Sequence, residues 1–104
     1  MNLESRKNNP LSEVSEYLEC EWTPLILQTL QKGNQRYSQI EFALHGITPS
    51  ELSTRLRNLL AHGMVSRHVK SSQPTMTNYE LTEKGKALQN LLQAIASYNK
   101  IASQ

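Results

Sequence analysis

The chain has 104 residues, of which 38% are hydrophobic and 19% are charged, and its formal net charge is +2. This length allows one globular domain with one core, and it leaves no room for a deep enzyme cleft as well. The sequence contains neither the ~20 consecutive apolar residues of a membrane helix nor the apolar run of a secretory signal, and its single cysteine, Cys20, excludes an intrachain disulfide and a cysteine-based zinc site.

The charges are distributed unevenly along the chain. All nine acidic residues are glutamates, and five of them precede Trp22. No acidic residue occurs between Leu52 and Tyr79, a stretch that contains the cations Arg55, Arg57, Arg67 and Lys70. A localised basic segment is typical of a phosphate-binding surface, although on charge alone a solvated charged face explains it equally well.

The first twenty residues predict an arm and a short helix. Residues 1–9 are polar and predict a flexible N-terminal arm, and we expect a single domain over residues 10–104. Ser12 to Cys20 then predicts a helix that has Val14 and Tyr17 on one side.

Two further helices are indicated next. Thr23 and Pro24 predict the cap and the first residue of a second helix, which ends at a glycine. Tyr37 is expected in a short extended segment, and Ser38 and Glu41 have the spacing of a capping box for a third, short helix.

The fourth helix has the sharpest start in the sequence. Gly46 ends the preceding helix, Thr48 and Glu51 form a second capping box, and Pro49 occupies the first helical position. The buried stripe of this helix, expected over about 48–62, consists of Leu52, Leu56, Leu59 and Leu60. Two short helices joined through Gly46 are the pattern of a helix-turn-helix.

A β-hairpin and a long helix complete the expected fold. Met64 to Lys70 alternates as a strand does, and Asn78 to Leu81 predicts a returning strand. Thr82 is placed to cap a last helix whose apolar stripe is Leu88, Leu91, Leu92, Ile95 and Tyr98. The fold class is therefore mainly α with a small β-hairpin, that is, a winged helix-turn-helix in which the hairpin is the wing.

Two segments of the chain are GITPSELSTRLRNLLAHGMV and YELTEKGKAL. Together, and at the distance that separates them in the sequence, they are specific enough to compare with a known family. The chain resembles the HxlR-type winged helix-turn-helix regulators, which are MarR-like. The resemblance implies a cytoplasmic, bacterial-type transcription regulator without a cofactor, whose partners are a pseudo-palindromic operator in double-stranded DNA and a second copy of itself. It also implies that the N- and C-terminal helices form the dimer interface.

The chain departs from the family pattern at Asn9, at Glu19-Cys20-Glu21, where the family usually has Gly-Gly-Lys, and at Glu51, where the family often has a basic residue. Family members often have a cysteine before the proline equivalent to Pro10, and some use it to sense oxidants, whereas this chain has Asn9. Sensing through that cysteine is therefore excluded. A small-molecule effector stays open, and the residues do not distinguish repression from activation.

The helix-turn-helix arrangement assigns roles to side chains. We expect the helix over about 48–62 to enter the major groove, where base contacts would come from Ser50, Ser53, Thr54 and Arg57. We expect the wing, about 65–81, to lie on the backbone or in the minor groove. The phosphate candidates are Tyr37, Ser38, Gln39, Thr48, Arg55, Arg67 and Lys70. For Tyr37, packing in the core is an equally good interpretation.

The dimer candidates are apolar residues of the first and last helices, namely Val14, Tyr17, Leu88, Leu91, Leu92, Ile95 and Tyr98. The alternative is that the stripe packs on its own subunit. For the whole protein, the alternative to DNA binding is a winged helix used for protein interaction. No enzyme and no metal site are expected, because the chain lacks Asp and its three histidines are scattered.

Overall fold

The computed structural model describes residues 12–70 and 76–103. The expected arm over residues 1–9, the wing tip at residues 71–75 and the side chain of Lys70 lie outside the described part. In chain order, the elements are α1 Ser12–Leu18, α2 Trp22–Leu30, β1 Gln35–Arg36, α3 Tyr37–Ala43, α4 Pro49–Ala61, β2 Val65–Lys70, β3 Met76–Leu81 and α5 Glu83–Ala102.

The starts of α2 and α3 differ from the predicted capping. Glu21, not Thr23, occupies the N-cap position of α2, and Thr23 is buried inside the first turn. At α3 the cap is Arg36, whose backbone N–H donates to Gln39 Oε1 at 2.8 Å. The predicted box of Ser38 and Glu41 is wrong because β1 holds Arg36 in an extended conformation, so that the helix begins at the next residue.

Both ends of α4 are fixed by local hydrogen bonds. Thr48 Oγ1 accepts from the backbone N–H of Glu51 at 3.1 Å, which confirms Thr48 as the N-cap. The other half of the predicted capping box is replaced by a contact of the Glu51 carboxylate with Arg55. At the other end Gly63 has φ +73°, and the N–H of Met64 donates to Leu59 O at 2.9 Å. This is the Schellman ending, in which a left-handed glycine turns the chain so that the last carbonyls of the helix are paired.

The sheet has one strand more than the predicted hairpin. β2 and β3 form the antiparallel hairpin, and β1 adds to the free edge of β3, giving the order β1-β3-β2. With only two residues, β1 is too short to leave a period-2 pattern in the sequence. The prediction of a mainly helical winged helix-turn-helix is confirmed.

The core lies where α2, α4 and α5 meet the sheet. Its fully buried side chains are Ile26, Leu27, Leu30, Ile40, Leu52 and Leu59. Met64, Val65 and Leu81 extend it beneath the hairpin. Within the described residues, no helix combines the length and the apolar character needed to cross a membrane.

Candidate nucleic-acid interface

The face of α4 that lies opposite its leucines is open. Leu52, Leu56 and Leu59 are buried in the core, as the apolar period predicts. Of the four base candidates, Ser50, Thr54 and Arg57 are exposed, and Ser53 is half-buried. The first turns of α4 therefore present small polar side chains to solvent, and the helix has the width that the DNA major groove accepts.

The hydroxyl of Tyr37 joins the start of α3 to the first turn of α4. It donates to Pro49 O at 2.9 Å and lies 3.1 Å from Ser53 Oγ. The ring is half-buried and packs against the core. The ring of Tyr37 thus packs against the core, and its hydroxyl contacts two residues of α4.

The remaining phosphate candidates near these helices lie at the surface. Ser38, Gln39 and Thr48 are exposed, although Gln39 and Thr48 also serve as helix caps. Arg55 Nε lies 3.4 Å from Glu51 Oε1, with the two side chains 35% and 38% exposed. This ion pair places an acidic group beside Arg55 and reduces the positive charge at that point of α4.

A cleft of about 200 Å³ lies between α4 and the wing. Arg57 from α4 and Arg67 from β2 both line it. Among residues 12–70 and 76–103, no carboxylate forms an ion pair with either arginine. The structure thus brings together two cations that are ten residues apart in sequence, and neither is neutralised by a described neighbour.

Glu80, the acidic residue of the hairpin, lies on the other face of the wing. Its Oε2 is 3.2 Å from His68 Nε2, which is also 3.1 Å from Ser66 Oγ. Because side chains alternate along a strand, these three residues point away from the face that carries Arg67. The wing is therefore cationic towards the cleft and carries its carboxylate on the opposite side.

Two polar residues of this surface were missed from the sequence. Tyr79 pairs with Arg67 across the hairpin and lines the cleft, and Arg36 is an exposed cation directly before α3. For Tyr79 the available signal was an aromatic residue in the returning strand, at the position opposite Arg67. For Arg36 the available signal was its positive charge, because it directly precedes the predicted phosphate candidates Tyr37, Ser38 and Gln39.

The predicted dimer residues fall into two groups. Tyr17, Leu88 and Leu92 are only 3%, 6% and 6% exposed, so they belong to the core of their own chain. Within one chain these three side chains are covered, Tyr17 on α1 and the two leucines on the inward side of α5. Leu91 and Tyr98 are exposed, and Val14 and Ile95 are half-buried against the core. Leu18 and Ile101, which the prediction omitted, are exposed apolar residues on the same two helices.

A metal centre has no basis in the described part of the chain. Residues 12–70 and 76–103 contain no group of three His, Cys or Glu side chains close enough to hold a metal ion. His45 contacts the Phe42 ring, His62 contacts the Tyr17 ring, and His68 belongs to the wing.

Comparison with known proteins places the chain in a family. The model of the HxlR-like helix-turn-helix family matches residues 17–103. The HTH-type transcriptional regulator YvaP of Bacillus subtilis is 42% identical over 77 residues, which are 74% of this chain and 71% of YvaP. The HTH-type transcriptional regulator sll1512 of Synechocystis is 36% identical over 86 residues, which are 83% of this chain and 64% of that protein.

A solved structure agrees with these matches. The reduced form of the transcriptional regulator YodB from B. subtilis superposes with a TM-score of 0.77 at 32% identity, covering 86% of this chain and 88% of YodB. All three relatives are named as transcriptional regulators, and sll1512 and YvaP are named as uncharacterized ones. With its winged helix-turn-helix and its match over residues 17–103, the chain belongs to the HxlR-like helix-turn-helix family.

Proposed function

We propose that the protein is a sequence-specific, double-stranded-DNA-binding transcription regulator that acts as a homodimer. The observation that carries the proposal is the open face of α4 beside the cleft that Arg57 and Arg67 line. In this proposal α4 enters the major groove, and the wing lies along the backbone or the minor groove. Relatives that are HTH-type transcriptional regulators support the same conclusion.

The local contacts refine the proposed roles of the base candidates. Ser53 Oγ already interacts with Tyr37, so Ser50 and Thr54 are the freer hydroxyls for base contacts. Arg57 lies within reach of a base edge from α4, and it also shares the cleft with Arg67. A guanine or a phosphate would each suit its guanidinium, which forms paired hydrogen bonds to both.

The phosphate contacts are proposed for the cations and polar groups around this face. They are Tyr37, Ser38, Gln39, Thr48, Arg55, Arg67 and Lys70, together with Arg36 and Tyr79. Contacts of this kind position a protein on the duplex without reading its sequence, and they make affinity depend on salt.

The test is duplex binding by wild type and Arg57→Ala, with operators selected from random duplexes. If Arg57 reads a base, Arg57→Ala should lose roughly 1–3 kcal/mol on the selected operator and much less on random DNA. Equal losses on both duplexes, with a shallower salt dependence, would make Arg57 a phosphate contact. Lys100→Ala, which removes an exposed cation from the last turn of α5, is the matched control and should bind like wild type.

Protein interaction is the second candidate function. Phe42 on α3 is 78% exposed, which is unusual for a large apolar side chain, and the net charge of the chain is only +2. If wild type binds no duplex at low salt, where phosphate contacts are strongest, DNA recognition is rejected and this candidate replaces it.

A further inference from the structure

A groove between α2, β3 and α5 is larger than the cleft at the wing. Its main cavity has a volume of about 370 Å³ and is bounded by the end of α2, by β3 and by the first half of α5. A neighbouring cavity of about 170 Å³ continues between α2 and α5. Gln31 and Gln89 line both cavities, so this pair of carboxamides stands where the two meet.

Gln89 is a polar residue in a position where the fold needs an apolar one. It is 6% exposed and lies on the buried side of α5, between Leu88 and Leu92. Its Nε2 donates to Gln31 Oε1 at 3.3 Å, which is longer than an optimal hydrogen bond. Gln89 also lines both cavities, so the part of its carboxamide that Gln31 does not engage is available to a molecule bound there.

The lining of the groove defines the chemistry of a ligand. Leu30 and Leu81, both buried, supply apolar wall suited to a ring. The two charged residues of the main cavity have opposite signs, and each has its own partner: Glu80 is 3.2 Å from His68, and Lys86 is 3.3 Å from Glu83. Because the two charges in the lining have opposite signs and each has a partner, the groove favours an uncharged ligand.

The glutamine pair adds directional recognition. Each carboxamide has an NH2 group that donates hydrogen bonds and a carbonyl oxygen that accepts them. A ligand with an N–H group beside a C=O group can pair with both. The volume of the main cavity is at the lower end of the range for ligand sites, which corresponds to a ligand of one ring.

We propose that this groove binds an uncharged, ring-sized molecule that carries an amide edge, meaning adjacent N–H and C=O groups, and that Gln31 and Gln89 recognise that edge. The apolar body of the molecule lies against Leu30 and Leu81. The proposal concerns a site remote from α4 and does not rest on DNA binding, because it is tested by ligand binding alone.

The test uses benzamide as the probe on the full chain, followed through the side-chain amide resonances in ¹⁵N-NMR titrations. Wild type should bind benzamide with a dissociation constant on the order of 1 mM or lower, with shifts at Gln31 and Gln89. N,N-dimethylbenzamide keeps the ring and the carbonyl but lacks the N–H, and it should bind about tenfold more weakly.

Variants identify the site. Gln89→Leu should bind benzamide at least about tenfold more weakly while its thermal midpoint stays equal or rises, because a buried amide is replaced by an apolar side chain of similar size. Gln31→Leu, at an exposed position that does not threaten folding, should weaken binding in the same way. Asn99→Leu makes a comparable amide-to-leucine change at an exposed position of α5 and should bind like wild type.

Three results would overturn the proposal. The first is the absence of saturable benzamide shifts in wild type up to the solubility limit, and the second is wild-type affinity in both glutamine variants. Equal affinity for benzamide and its dimethyl derivative would show an apolar crevice without amide recognition.

Discussion

At the scale of single residues, hydroxyl groups position the proposed reading helix. Tyr37 Oη reaches Pro49 O and Ser53 Oγ, and Thr48 Oγ1 caps the same turn of α4. Three contacts thus hold the start of α4: two are made by Tyr37, the first residue of α3, and one by the N-cap residue Thr48. Because base contacts depend on sub-ångström placement of this turn, Tyr37 and Thr48 are expected to affect affinity through the position of α4 as well as through any phosphate contact of their own.

Tyr37→Phe should separate this positioning role from packing. The ring and its core contacts remain, whereas the bond to Pro49 O and the contact with Ser53 are lost, so we expect a loss of about 1 kcal/mol in the free energy of unfolding. Urea denaturation measures this loss, and operator affinity should fall with it. Ser38→Ala, an exposed neighbour, should leave the unfolding free energy unchanged. An unaltered urea midpoint in Tyr37→Phe would show that the hydroxyl contributes nothing.

Thr48→Ala tests the cap of α4. Loss of the Thr48 Oγ1 acceptor leaves the backbone N–H of Glu51 without its partner, which should cost about 1 kcal/mol of unfolding free energy. Ser50→Ala lies two residues later, is exposed, and serves as the stability control. Equal urea midpoints for the two variants would mean that the cap adds no stability.

At the scale of elements, α4 and α5 are joined through the turn at residues 62–64. Lys84 Nζ donates to His62 O at 3.1 Å, and Thr82 Oγ1 donates to Gly63 O. Gly85 lies so close to this turn that a Cβ would overlap Met64 O. Glycine within the first turn of a helix looks unfavourable from propensity alone, but here it allows the two backbones to meet.

Gly85→Ala should therefore destabilise the protein even though alanine is the better helix former. The overlap with Met64 O involves backbone atoms that cannot rotate away, so we expect a loss of at least about 3 kcal/mol and a fall of more than ~10 °C in the melting temperature. Differential scanning calorimetry gives the value. Lys86→Ala, at an exposed position one residue further on, should melt close to wild type. A Gly85→Ala variant as stable as that control would disprove the close approach.

At the scale of the whole molecule, the proposed operator reading requires two copies of the chain. Half-sites one helical turn apart, about 34–36 Å, need two recognition helices related by a two-fold axis. The exposed apolar residues of the terminal helices, which are Leu18, Leu91, Tyr98 and Ile101, are the surface that we propose for this contact. Leu88 and Leu92 are buried and hold α5 on its own chain.

Leu91→Glu combined with Ile101→Glu should convert the proposed dimer into a folded monomer. Both residues are exposed on α5, so the charges disturb association and not the core, and we expect the dimer dissociation constant to rise by about 30-fold or more. Sedimentation equilibrium measures the change, and the circular dichroism spectrum should keep its helical content. Phe42→Glu alters an equally apolar, exposed side chain on α3 and should leave the dimer intact. A dimer that persists in the double variant but dissociates in Phe42→Glu would move the interface to α3.

The sequence alone determined the features that depend on neighbouring residues. The caps at Thr48 and Thr82 act within a few positions of the chain, and both are found as predicted. The apolar period of α4 likewise identified its buried side, because helix geometry alone decides which side chains share a face. These local signals, taken in order, were enough to give the winged helix-turn-helix.

Only the tertiary structure decided what distant residues do together. The tie from Tyr37 to α4, the meeting of Arg57 with Arg67 and the division of the α5 stripe into core and surface all depend on how elements pack. The apolar period of a helix shows which face is apolar. It does not show whether that face is covered by the same chain or by a second one. That choice follows from the close packing of interiors, where the shape of every neighbour matters.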